Sequence, residues 1–187
     1  MELSTKEKLA WTASKLFQEK GYNGVGLSEI LAAAGVPKGS LYHHFPDGKR
    51  DLALEAAAFA HREMTRIIDD AFETAPDYRA GATTLFHKLA KLFELMGKHT
   101  GCPITHILFS GPDEDEFRAQ SAAYFDAWTT QIAGHAMRFG AKREEAHAMA
   151  EHLFVVLQGG WTLARAHKDS DRLRGMVSML FPGQGCP

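Results

Sequence analysis

The stretch Ser28-Glu29-Ile30-Leu31-Ala32-Ala33-Ala34-Gly35-Val36-Pro37-Lys38-Gly39-Ser40-Leu41-Tyr42-His43-His44-Phe45 decides the fold. It reads as two helices of about two turns each, broken at Gly35-Val36-Pro37, where glycine closes the first helix and proline cannot continue it. Ile30 and Leu31 begin the apolar face of the first; Leu41 and Phe45, at i and i+4, are that of the second. Upstream, Ser4 and Glu7 have capping-box spacing, so a helix is predicted over 4–20. Its stripe is Leu9, Ala13, Leu16 and Phe17, and Gly21 stops it. Packing Ile30, Leu31, Val36, Leu41 and Phe45 against Leu16 and Phe17 closes a three-helix unit the size of a helix-turn-helix head. The second short helix then turns Lys38, Ser40, Tyr42 and His43 outward, donors and a stacking ring suited to phosphates and base edges. Gly39 leaves the backbone N–H groups of that turn open to a phosphate oxygen. Spacing alone leaves two readings open: a DNA-binding head, or two small helices within an all-α enzyme or bundle.

Beyond this stretch the chain stays helical in pattern. Period-2 alternation is nowhere sustained, and Pro and Gly fall between periodic segments. Helices are predicted over 49–73, 78–99, 104–109, 111–139, 142–167 and 171–180, with Asp113, Glu114, Asp115 and Glu116 in the first turn of the fourth of these, where acid complements the helix dipole. The fold class is therefore all-α, about nine helices: a three-helix head over 1–48 and a helical bundle over 49–187.

Composition narrows the classes. The 187 residues are 45% hydrophobic and 24% charged, ordinary for a globular chain that needs no disulfides to hold a core. No apolar run nears the ~18 residues of a bilayer span, and Met1-Glu2-Leu3-Ser4-Thr5 lacks the basic-then-apolar order of a signal peptide. With only Cys102 and Cys186, a reduced, cytoplasmic setting without membrane contact is expected. The net charge is -2, but residues 1–50 carry a net of +2 and the remainder -4, a mildly basic head on an acidic body.

Phe17-x-x-x-Gly21-Tyr22, Ile30-x-x-x-Ala34-Gly35-Val36-x-x-Gly39-x-Leu41-Tyr42-x-His44-Phe45 and Lys49-x-x-Leu52 together resemble the DNA-binding head of TetR-type transcriptional regulators. The run Pro37-Lys38-Gly39-Ser40-Leu41-Tyr42-His43-His44-Phe45-Pro46 with Gly48-Lys49, then Gly101-Cys102-Pro103, the helix of Trp128, and Leu157-Gln158-Gly159-Gly160-x-x-Leu163-Ala164-Arg165-Ala166 are similar to the LmrA/YxaF-like subgroup. The resemblance implies a homodimer that reads a palindromic double-stranded operator and is released, as a repressor, by a small apolar or aromatic inducer. It adds Pro37 to the DNA-facing set. It also implies that Lys49 meets a phosphate at the start of the fourth helix, although the loop Phe45-Pro46-Asp47-Gly48-Lys49 is one residue longer than the commoner spacing. Where the family often has two hydroxyl residues this chain has Val25 and Gly26, so the backbone contact is expected to pass to Ser28.

The body is rich in bulky apolar side chains, which form either plain core or an apolar cavity with a few polar anchors. By resemblance the pocket lies among the fourth to eighth helices, and Met96, His106, Phe125, Trp128 and Gln158 are the candidate ligand contacts. Gly159-Gly160 inside a helix costs about 1 kcal/mol per glycine relative to alanine. Close helix approach offsets this, either within one subunit or between two. Because the family dimerises through its last two long helices, the interface is placed on Leu153, Val156, Leu157, Gly160, Trp161 and Ala164.

Two competing functions remain. Cys102 and His106, four apart, could pair as thiolate and imidazole in an all-α enzyme. That reading lacks an orienting third group. A helical partner-binding module is the other, against which the outward Lys38, Ser40, Tyr42 and His43 speak. No HExxH, phosphate loop or GxSxG is present, so no metal and no cofactor are expected.

Overall fold

Ser4 opens the first helix as its spacing predicts. Its side chain caps Glu7 N–H, and the Glu7 carboxylate accepts from Ser4 N–H at 2.9 Å. This holds the Glu7 carboxyl below its ordinary value, the Ser4 hydroxyl bond being the larger cause. The computed structural model describes residues 3–109, 111 and 115–182. Among them run α1 (Thr5–Lys20), α2 (Leu27–Ala34), α3 (Lys38–His44), α4 (Lys49–Phe72), α5 (Tyr78–Leu95), α6 (Asp115–Arg138), α7 (Arg143–His167), α8 (Asp171–Gly175) and α9 (Val177–Leu180), with one π-helical turn at Thr105–Phe109. No strand occurs among the described residues, and no helix among them is long and apolar enough to cross a membrane.

Several boundaries differ from the sequence reading for local reasons. The helix expected to reach His99 stops at Leu95, because Gly97 and Lys98 take left-handed backbone and Lys98 N–H turns back to Phe93 O at 3.0 Å. The segment expected as one helix over 171–180 is two, divided at Met176, whose N–H bonds Leu173 O three residues back. Asp115 and Glu116 do lie in the first turn of α6, whereas Asp113, Glu114 and Cys186 lie outside the described residues.

The chain divides into two units. One takes residues up to 63 with 101–122; the other takes 64–100 and 123 onward. Helices α4 and α6 each contribute to both. In the second unit, Leu85, Phe86, Leu89 and Phe93 of α5 are fully buried, as are Leu153 and Ala164 of α7. Trp161 Nε1 donates to Thr100 O at 2.9 Å, with its ring edge-on to Phe93. The C-terminal half of α4 is tied to α6: Gln131 donates to Thr65 O at 3.0 Å, Arg138 to Phe72 O, and the His135 ring stacks on Phe72 at 4.7 Å while meeting Asp69 at 3.0 Å. Glu94 of α5 accepts from Ser170 at 2.7 Å and from Arg174 at 2.9 Å, which holds its carboxyl below the ordinary range, the serine bond being the largest cause.

The sequence-based interface needs correcting. Leu153, Leu157, Gly160, Trp161 and Ala164 are buried within this chain, and Val156 is half-buried. The close approach that Gly160 permits is internal: a Cβ there would stand 2.6 Å from Met176 Cγ. The face of α7 that remains open carries Val155 (68% exposed), Gly159 and Leu163 (44% exposed), at intervals of four. On α6 the open face carries Ala123, Ala127, Gly134 and Met137.

Two outcomes follow from this packing. A Cβ on Gly81 would lie 2.1 Å from Cδ1 of the fully buried Phe72, so Gly81→Ala should destabilise by about 1–3 kcal/mol despite the better helix former, measurable by urea unfolding. Glu94 has a depressed folded-state pKa, so its contribution is present above its ordinary 4.5 and is lost as pH falls through the folded value. Glu94→Gln should therefore lower the thermal midpoint more at pH 7 than at pH 3.

Candidate nucleic-acid interface

Within the first unit, the turn between α2 and α3 has the form the sequence anticipates. Gly35 closes α2 in the left-handed region, φ 63, and Val36 N–H returns to Leu31 O at 3.1 Å. Pro37, extended, then launches α3. Ile30 and Leu41 are fully buried, and Phe45, Ala34 and Val25 nearly so, around Leu9, Ala13 and Phe17 of α1. Leu16, Leu31 and Val36, expected in the same core, are half-buried.

That packing fixes which side chains face out. Pro37, Lys38, Gly39, Tyr42 and His43 are exposed, Ser40 is half-buried, and the Tyr42 ring is 45% exposed. Ser28 is exposed in the first turn of α2, whose N-cap Gly26 provides no side-chain bond. Ser28, Lys38 and Tyr42 rim a cleft of about 170 Å³ between the two helices, floored by Leu27, Leu31 and Leu41. Such a surface pairs apolar area with donors at its edge, as base-edge and sugar contacts require. A Cβ at Gly39 would meet nothing within 4 Å, so a partner can approach the backbone there.

The loop before α4 has its own geometry. Gly48, at φ 64, packs where a Cβ would lie 3.5 Å from both Leu27 and Tyr42, and Asp47 N–H is bonded to Asp51 at 2.9 Å. Lys49, the expected phosphate contact, is half-buried, with its ammonium 4.3 Å from the Tyr22 ring centroid. Burial pushes its pKa below the ordinary lysine value. Arg50 pairs with Asp51 at 3.8 Å and with Glu116 of α6. Tyr22 also stacks on Phe17 at 5.6 Å and meets Phe117 of α6 edge-on at 5.8 Å. The sequence reading missed this cluster. Tyr22 was visible as a motif residue, but Lys49 and Phe117 are too distant along the chain for any periodicity to pair them.

The candidate ligand contacts divide. Met96, Phe125, Trp128 and Gln158 belong to the second unit and His106 to the first. Trp128 is buried against Phe125 and Phe154, ring centroids 5.8 and 6.3 Å away, so Phe154 joins the expected set. Met96 Sδ accepts from Thr100 Oγ1 at 3.9 Å. His106 lies in the π-helical turn with its ring over Gly101, where a Cβ would stand 2.2 Å away. Cys102 is buried just ahead of that turn. No three His, Cys, Asp or Glu among the described residues group as a metal site.

Residues 12–56 match a family model described as bacterial regulatory proteins, tetR family, and residues 79–179 match one described as the C-terminal domain of LmrA/YxaF-like transcriptional regulators. The chain is 31% identical over 174 residues to the HTH-type transcriptional regulator YxaF of Bacillus subtilis, covering 90% of this chain and 89% of that one. It is 28% identical over 177 residues to the HTH-type transcriptional regulator LmrA of the same organism, covering 94% of each. A crystal structure of the regulatory protein TetR from Rhodobacter sphaeroides superposes with a TM-score of 0.81 at 26% identity, over 92% of this chain and 95% of that one.

The inward and outward faces of α3 should separate experimentally. Leu41→Ala removes a fully buried side chain and should destabilise the protein by about 2–5 kcal/mol. Tyr42→Ala, on the exposed face, should stay within about 0.5 kcal/mol of the parent; chemical unfolding of the two variants reads the difference.

Proposed function

The chain belongs to the tetR family of bacterial regulatory proteins, and from that premise we propose that it is a ligand-responsive repressor that binds a palindromic operator as a homodimer in the cytoplasm. The observation that carries the reading is the two-sidedness of α3: Leu41 and Phe45 are buried in the head while Lys38, Tyr42 and His43 face out beside Ser28. Residues 1–48 act as the DNA-binding domain and 49–187 as the ligand-binding and dimerisation domain. Helix α3 enters the major groove, and Pro37, Gly39, Ser40 and Lys49 complete the contact set with the four residues above. Two such helices in a symmetric dimer read half-sites about 34–36 Å apart. This reading assigns the chain no catalytic role.

The open strips of α6 and α7 supply the dimer face. Ala123, Ala127 and Gly134 on one helix and Gly159 on the other are small enough for close helix approach, with Val155, Leu163 and Met137 as apolar anchors. The aromatic group of Phe125, Trp128 and Phe154, with Met96 and Gln158, is proposed to hold a small apolar or aromatic inducer. An inducer shifts the protein off DNA only through its differential affinity for the two arrangements. The contacts of Phe117 with Tyr22 and of Glu116 with Arg50 tie the start of α6 to the head.

Selection of bound duplexes from a random pool at about 150 mM salt tests the reading. An enriched inverted repeat is expected; a folded dimer that enriches none overturns it. Tyr42→Ala should then weaken operator binding by about 1–3 kcal/mol. Val155→Glu with Leu163→Glu should give a monomer by sedimentation, and retention of the dimer would move the interface elsewhere.

A further inference from the structure

Several cations of the first unit are already engaged. Lys6 pairs with Glu55 at 3.0 Å and Lys20 with Glu29 at 2.5 Å, Lys49 lies over Tyr22, and Arg50 is held by carboxylates. Lys8, Lys15 and Lys38 enter no ion pair among the described residues. Lys8 and Lys15 stand on α1 at i and i+7 with Trp11 between them, a spacing that puts all three on one helical face. All three are exposed, the indole by 40%. Lys15 Nζ sits 4.0 Å from the Trp11 ring centroid. Of the acids of α1, Glu7 is taken up by the Ser4 cap. At its other end, Lys8 Nζ comes within 3.9 Å of the Cβ position of Gly35, in the turn from which α3 and Lys38 set out. The stripe thus runs to the turn from which the recognition helix sets out.

We propose that Lys8, Trp11 and Lys15 form a second contact with duplex DNA, on the sugar-phosphate backbone flanking the half-site that α3 reads. The proposal rests on the operator-binding reading above. Lys8 and Lys15 are separated by about 10 Å of helix axis, far enough for their ammonium groups to meet different phosphates. Ammonium groups without an internal counter-ion release condensed cations from DNA on binding, and the indole N–H can donate to a phosphate or sugar oxygen. None of these contacts reads a base, so the stripe adds affinity without changing the preferred sequence.

The test uses the full-length protein and the operator recovered by selection, as two duplexes: one ending at the inverted repeat, the other carrying several further base pairs on each side. Fluorescence anisotropy across a salt series gives affinity and salt slope. The wild type should bind the longer duplex more tightly. Lys8→Gln with Lys15→Gln should lose about tenfold on the longer duplex at ~150 mM salt, and its slope should fall by about 1.8 per subunit, at ~0.9 per phosphate. Base preference should be unchanged, and Trp11→Ala should lower affinity while leaving the slope in place. Lys142→Gln, an exposed lysine of the second unit, should have no effect; equal loss in that variant would reduce the result to general charge and overturn the proposal. A double variant that matches the wild type in affinity and slope on the longer duplex overturns it too. A wild type that recovers no operator overturns the operator reading and this proposal with it, so the two failures are told apart. The substituted side chains are exposed, and unchanged melting confirms that each variant is folded.

Discussion

The Tyr22 ring is packed on three sides: Phe17 stacks against it at 5.6 Å, Phe117 meets it edge-on at 5.8 Å, and the Lys49 ammonium lies 4.3 Å from its centroid. One ring thereby joins α1, the start of α4 and the start of α6. Each aromatic pair contributes about 0.5–1.5 kcal/mol beyond its buried area, and a partly desolvated cation–π contact about 0.5–2 kcal/mol. The larger consequence is geometric. Lys49 stands in a partly buried place that lowers its pKa, with its ammonium against the ring. Loss of Tyr22 would strand a desolvated ammonium and release the first turn of α4 from α1. The position of α4 in turn sets the Phe45–Lys49 loop, whose Gly48 lies against Tyr42 and Leu27, on the face that meets DNA in the proposed function.

Helix α3 and its C-cap Phe45 satisfy two demands at once. Leu41 and Phe45 must be apolar and well packed, because no other part of so short a helix anchors it; a helix of two turns has little stability alone. Tyr42 and His43 must stay out in water, available to a partner. Rigidity supplied from below makes the exposed side chains useful, since donors fixed in place lose less entropy on binding than mobile ones. The apolar cleft between α2 and α3 comes from the same compromise: Leu27 and Leu31 extend the core to the surface and stop at the rim formed by Ser28, Lys38 and Tyr42.

Much of this was legible in the sequence wherever the signal was local. The capping box at Ser4, the left-handed Gly35, the i and i+4 pair Leu41 and Phe45, and the outward set on α3 each depend on residues a few positions apart. The misreadings have one common cause, which is that the deciding partner lay far along the chain. Gly160 signalled a close approach correctly, but its partner is Met176 of the same chain. The periodic face of α7 therefore belongs to the core, and the open face carries Val155, Gly159 and Leu163. Nothing in the segment of Lys49 forecasts its contact with Tyr22. Helix ends were missed where backbone sign mattered more than hydrophobic period, as at Gly97 and Lys98.

The charge arithmetic takes a different meaning once partners are known. A chain of net charge -2 has no long-range field to draw in a polyanion, and screening confines each charge to about 8–10 Å at physiological salt. What matters for a phosphate is then which cations near the surface are unclaimed. Lys6, Lys20 and Arg50 are held by carboxylates of the first unit and serve its geometry, so counting them toward DNA affinity would count them twice. Lys8, Lys15, Lys38 and Lys49 enter no carboxylate pair among the described residues, and Lys8 reaches the turn ahead of α3. The modest +2 of residues 1–50 therefore does not by itself describe the charge beside that turn, since Lys20 and Glu29 cancel each other and Glu7 is taken up by the Ser4 cap. Partition of charge between internal pairing and an open face, rather than the net value, is the quantity that distinguishes a nucleic-acid-binding head from an ordinary helical bundle of the same composition.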